Sequence, residues 1–112
     1  MLYAYSMTER VATILQHLKS RLRALYGDRF TGVMLYGSHA REEASSESDI
    51  DVLIVLKGPV VRSQEIERTS HLVAGLCLEH DVVISRRFAS EDGYWTSPSP
   101  LMRNVRREGV PI

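Results

Sequence analysis

Along residues 8–25 the apolar side chains Val11, Ile14, Leu15, Leu18, Leu22 and Leu25 recur at three-and-four spacing, which lays them along one face of a helix. Thr8 is placed to cap that helix, Arg10, Lys19, Arg21 and Arg23 fall on its wet side, and Gly27-Asp28 ends it. A short strand follows at about residues 31–36, after which Gly37-Ser38 turns the chain out. Residues 38–41 are expected to open a short helix with Ser38 as its cap, and residues 42–48 are polar and small, the composition of a mobile loop. Residues 50–56, Ile-Asp-Val-Leu-Ile-Val-Leu, are apolar on both alternations, so this strand is expected at the centre of a sheet covered on both faces. Lys57-Gly58-Pro59 stops it. A second helix over about residues 63–78 is carried by Ile66, Thr69, Leu72, Val73 and Leu76, and a third strand is expected at residues 81–84. Residues 88–100 show no clear period and read as a loop. A last helix then starts with Ser99 as cap and Pro100 at its first position and ends near Gly109.

These elements describe one α/β (α+β) domain spanning 1–112, with a small mixed sheet of at least three strands flanked by helices. At 112 residues there is enough chain for one core but not for a separate substrate module, so any second substrate should meet the protein at an open face. Fourteen basic residues balance fourteen acidic ones, which argues against strong nucleic-acid binding. Cys77 is the only cysteine, so an internal disulfide is ruled out and a reducing cytoplasm suits the chain; within an apolar pattern Cys77 reads as a small buried hydrophobe. Residues 1–7 have no basic lead and no apolar run of membrane-spanning length. They are expected to be poorly ordered, with Met7 as an alternative start.

Chemistry concentrates between Val33 and Leu56. Asp49 and Asp51 alternate along the start of a strand, so their carboxylates project to one side with Cα atoms roughly 7 Å apart. Mg2+ is commonly held by one or two carboxylates together with substrate phosphates, and the pair makes a platform for a metal-bound triphosphate. A third carboxylate on a neighbouring strand would let two ions sit about 4 Å apart; Asp81, at the start of the expected third strand, is the candidate. Gly37 lets phosphate approach the backbone, Ser38 offers a hydroxyl and an N–H, and Arg41 can neutralise phosphate charge. For these parts to meet, the first two strands must run antiparallel and the second and third parallel, with the helix at residues 63–78 as crossover.

Gly37-Ser38-His39-Ala40-Arg41 followed by Ser48-Asp49-Ile50-Asp51-Val52-Leu53-Ile54-Val55 resembles the signature of the minimal nucleotidyltransferases of the DNA polymerase beta superfamily. The similarity extends to the leading helix and to Arg107-Glu108-Gly109-Val110, with one departure at Glu42, where many relatives have glycine. The resemblance implies the nucleotidyltransferase, polymerase beta palm-like fold, ATP as substrate with two Mg2+ ions, and site residues Gly37, Ser38, Asp49, Asp51 and Asp81. It further implies an antitoxin whose partner is a HEPN ribonuclease toxin, to a tyrosine of which AMP is transferred. Two other readings stand beside it: an antitoxin acting by binding alone, and a transferase acting on a small molecule. Homo- or hetero-oligomer formation is left open.

Outside this stretch, His17, His39, His71 and His80 show no ligand spacing and read as structural or solvated. Arg103, Arg106 and Arg107 share a helix face and read as solvated. Tyr94-Trp95 is divided between core and partner surface.

Overall fold

The protein is described by a computed structural model over residues 8–41, 43–45 and 48–112. The expectations for Met1 to Met7, for Glu42 and for part of the polar loop lie outside the described residues. Helix α1 spans Glu9–Tyr26, with the Thr8 hydroxyl accepting the Val11 N–H at 3.1 Å as its cap. Val11, Ile14, Leu15, Leu18 and Leu22 are buried as the periodicity requires. Leu25, expected on that face, is 42% exposed; Tyr26 takes its place in the core. The drift of a straight 3.6-residue helix explains the exchange, since the apolar stripe has rotated past Leu25 by the last turn.

A 3₁₀ turn, Gly27–Arg29, leads into β1 (Phe30–Tyr36). Then come β2 (Ile50–Leu56), α2 (Arg62–His80), β3 (Ile84–Ser90), α3 (Glu91–Thr96), α4 (Pro100–Glu108) and β4 (Val110–Pro111). The sheet order is β3-β2-β1-β4; β1 and β2 are antiparallel and β2 and β3 parallel, as the site's topology demands. β2 is central, and every one of its residues except Asp51 is buried.

Four expectations change. Residues 38–41 form successive turns rather than a helix. The third strand begins at Ile84, not at Asp81, because α2 runs on to His80 and Asp81 closes it in the left-handed conformation at φ 54°. Aspartate tolerates that conformation better than most residues, so the chain spends residues 81–83 leaving the helix. Residues 88–100, read as a loop, contain the end of β3 and the short helix α3, capped by the Ser90 hydroxyl on the Gly93 N–H at 2.9 Å. Finally, β4 adds a two-residue edge to β1, and Lys19 Nζ donates to the Ile112 carbonyl at 2.7 Å.

Two apolar layers cover the sheet. On one face α1 and α2 pack over Val33, Leu35, Ile50, Val52, Ile54 and Leu56. On the other, Tyr94, Met102 and Val105 from α3 and α4 cover Leu53 and Val55. The helices of this second face are short, 6 and 9 residues, and the row Val55, Leu53, Asp51 runs past the apolar patch that they cover. Arg106, expected in solvent, holds these helices together by donating to the carbonyls of Tyr94 at 2.6 Å and Ser97 at 2.9 Å.

The first face also encloses a charged group. Glu65 is 2% exposed and accepts the Tyr26 hydroxyl at 2.7 Å and Arg68 at 2.9 Å, with Arg29 at 3.4 Å. Beside it Thr69 accepts Arg86 Nε at 2.7 Å. Helical periodicity over residues 63–78 did not single out Glu65, because a carboxylate counts as polar whatever partners await it.

Candidate active site

Asp51 lies on β2 opposite Tyr36 of β1 and Ser85 of β3, and Leu53, next in the same row, lies opposite Arg87. Asp49 is exposed just before the strand, and the intervening Ile50 donates its N–H to the Val83 carbonyl at 2.9 Å. The two carboxylates therefore sit where the second face runs out of helical cover.

Gly37 begins the turn after β1 with φ 76°, a conformation glycine adopts without strain. A Cβ on Gly37 would stand 3.2 Å from Asp51 Cγ and 3.3 Å from its Cβ, and closer still to Oδ2. The missing side chain is what lets the turn rest on the carboxylate. Gly37→Ala is accordingly expected to displace Asp51 and cost about 1–3 kcal/mol of stability through the left-handed backbone alone. Thermal unfolding beside a transfer assay checks this; an alanine variant with both properties unchanged would remove Gly37 from the site.

The turn is held from within. The Gly37 carbonyl accepts the N–H groups of Ala40 at 3.1 Å and Arg41 at 3.2 Å, and the Ser38 carbonyl accepts that of Glu43 at 2.9 Å. His39 Nε2 lies 3.3 Å from the Ser48 carbonyl, tying the start of the loop to its end. Neither the Ser38 hydroxyl nor its N–H has a partner among the described residues, which leaves two donors beside Asp51. Arg41 is exposed, paired with Glu43 at 3.0 Å and Glu108 at 3.7 Å.

Burial pushes the Asp51 carboxyl above the ordinary carboxylate range and the charge of Asp49 pushes it further, while His39, Arg87 and Arg41 pull it back. Tyr36 is raised by burial and by Asp51, with Arg87 within hydrogen-bonding reach of its hydroxyl opposing the shift. A half-buried carboxylate whose ionisation is disfavoured by burial and by a neighbouring carboxylate fits a hard divalent cation, whose charge relieves both burdens. Asp49 and Asp51 are the residues that would hold it.

The residues proposed from the sequence are not all brought together. Gly37, Ser38, Asp49 and Asp51 converge, and Arg41 is near enough for its charge to act on Asp51. Asp81 stands three residues before β3 as the cap of α2, its N–H donated to the Cys77 carbonyl. Tyr36 and Arg87 were not singled out. Alternation along β1 could have placed Tyr36 beside Asp51, whereas Arg87 lay beyond a strand expected to end at Ile84.

Residues 15–98 match the sequence profile of the nucleotidyltransferase domain. A protein adenylyltransferase of Thermococcus cleftensis, MntA, is 34% identical over 82 residues, 73% of this chain and 81% of that protein. Among solved structures, one described as a proposed minimal nucleotidyltransferase is 28% identical with a TM-score of 0.55 and covers 90% of both chains. Another, a toxin-antitoxin in complex with AMP-PNP, shares the fold at 16% identity and a TM-score of 0.59 over 86% of this chain and 69% of that one. A profile match over most of the chain, together with a glycine turn seated on one of two paired aspartates, identifies the chain as a nucleotidyltransferase of the minimal type.

Proposed function

We propose that this nucleotidyltransferase transfers AMP from ATP to a protein partner, a tyrosine of a HEPN-type ribonuclease toxin, and so acts as its antitoxin. The observation that carries the reading is the Gly37 turn resting on the Asp51 carboxylate, with the donors of Ser38 unpartnered among the described residues, an arrangement that suits a phosphate grip beside a metal platform. The relative named a protein adenylyltransferase supports the choice of a protein acceptor. So does the openness of the site, in which Asp49 is exposed and Asp51 only half-buried.

In this reading Asp49 and Asp51 hold Mg2+, which when bound neutralises phosphate charge at the reacting phosphorus. Ser38 and the backbone at Gly37 bind the β and γ phosphates, and Arg41 contributes charge from the rim. The acceptor oxygen forms a bond to the α phosphorus, the bond from that phosphorus to the bridging oxygen breaks, and pyrophosphate leaves while the phenolic proton passes to water. Arg87 acts as a positioning residue. Its charge acts on both the Tyr36 hydroxyl and Asp51 and opposes the rise of the carboxyl, which favours the ionised form that a metal ligand needs.

Asp81, expected as a third carboxylate at the start of β3, is instead the cap of α2. Asp81→Asn is predicted to keep transfer within about threefold of the parent, about 0.7 kcal/mol, while Arg87→Ala lowers the rate and raises the Mg2+ concentration required. Transfer rates measured across a Mg2+ titration check both; loss of activity in Asp81→Asn equal to that in Asp49→Asn would restore Asp81 as a ligand. The function itself is tested by incubating the chain with labelled ATP, Mg2+ and a purified HEPN-type toxin as partner. Label on a partner tyrosine is expected, and an unlabelled partner with an intact metal site would reject transfer in favour of neutralisation by binding.

A further inference from the structure

His17 of α1 and His80 at the end of α2 show no ligand spacing in sequence, yet helix packing brings their rings to 5.6 Å between centroids. Glu79 completes a group in which one ligand atom from each of His17, Glu79 and His80 lies within 4.8 Å of the others. His80 Nε2 stands 3.4 Å from Glu79 Oε2, and it is a buried polar atom without a hydrogen-bond partner among the described residues. The other Glu79 oxygen is held by Arg21 at 3.4 Å, which orients the carboxylate. Buried nitrogens without partners are uncommon, and an imidazole nitrogen facing a second imidazole and a carboxylate has the donor set of a metal ligand.

From this grouping we propose that His17, Glu79 and His80 form a second metal site, for a transition-metal dication of the zinc class, with the remaining coordination position open to water. Two imidazoles and one carboxylate suit zinc, nickel or copper and not Mg2+, which takes oxygen ligands, so the site is chemically distinct from the Asp49 and Asp51 platform. Its place in the fold gives it a consequence. The group clamps the end of α2 to α1 three residues before Val83, whose carbonyl holds the Ile50 N–H between the two site aspartates. An occupied clamp fixes the point where β3 enters beside the active strand.

A protonated His80 paired with Glu79 would use the same residues, and the two states differ in their response to zinc. The untagged full chain is dialysed against Zn2+ in excess Mg2+ and its metal content measured, with Co2+ absorption as a report of nitrogen ligation. The expected result is one zinc per chain and visible Co2+ bands. His17→Ala changes an exposed residue of a well-packed helix, and it should weaken zinc binding by at least about tenfold, as should Glu79→Gln. An Asp49→Asn, Asp51→Asn double variant should keep its zinc. No zinc uptake by the parent chain, equal uptake by His17→Ala, or loss of uptake with the aspartates instead would each overturn the proposal.

Discussion

Asp51→Asn is expected to reduce nucleotide transfer by roughly 10³-fold or more, about 4 kcal/mol of transition-state stabilisation, without loss of thermal stability. The two halves of this result have one cause. Asp51 is half-buried beside Asp49, and its carboxyl is pushed above the usual carboxylate range by that burial and that charge. A carboxyl whose folded pKa is raised binds its proton more tightly when folded, so the stability linked to it is lost as pH rises through the folded pKa. At neutral pH the ionised group therefore burdens the empty protein, and the amide removes the burden along with the metal ligand. Thermal unfolding should show the parent chain gaining stability with MgATP and the variant gaining little. The same shift sets the acid limb of activity, since Mg2+ competes with the proton at Asp51: the limb should move to lower pH as Mg2+ rises. A limb insensitive to Mg2+ would detach Asp51 from the metal.

Glu65→Ala is expected to lower stability by about 2–4 kcal/mol, combining an emptied volume with a Tyr26 hydroxyl left buried and unpaired. For a chain of this size that corresponds to a melting temperature lower by roughly 10 °C. Burial alone would raise the Glu65 carboxyl, but the Tyr26 hydrogen bond and the charges of Arg68 and Arg29 outweigh it and hold it below the ordinary range. For a carboxylate with a depressed folded pKa, the stabilisation is fully present above the unfolded value of about 4.3 and is lost as pH falls through the folded one. Acid unfolding of the parent should therefore steepen below about pH 4.3, and Glu65→Gln, which keeps the volume, should lose that steepening while costing less than alanine. Equal melting temperatures for parent and alanine variant would show that the network contributes nothing net.

The buried half of the fold was legible because burial leaves a period. The stripe of α1 and the doubly apolar β2 were predicted within a residue of their positions; the antiparallel β1 and β2 followed from requiring Gly37 and Asp51 to meet, and the parallel β2 and β3 from setting Asp51 and Asp81 at strand starts, though β3 begins at Ile84. Polar groups whose roles depend on distant partners were not legible. Glu65, Arg106 and the pairing of His17 with His80 look solvated until the helices are docked, since hydropathy records only the residue and not what lies across the packing interface. β3 was misplaced for a local reason: Val82-Val83-Ile84 has the composition of a strand, but the last turn of α2 and the left-handed Asp81 use up the first part of it. That shift of three residues hid Arg87 and put Asp81 on the cap of α2 rather than on β3. In the candidate site Gly37, Ser38, Asp49 and Asp51 could be grouped from the sequence because their spacing is local, and Tyr36 and Arg87 enter only through cross-strand register.

The measurement that tests the central claim most directly is mass spectrometry of the partner protein after incubation with this chain, ATP and Mg2+, with Asp49→Asn and Asp51→Asn run in parallel. The partner should gain adenylyl groups on tyrosine with the parent chain and none with either variant. Modification that persists in both variants, or a partner left unmodified by a chain that binds MgATP, would contradict the assignment of transfer to this pair of aspartates.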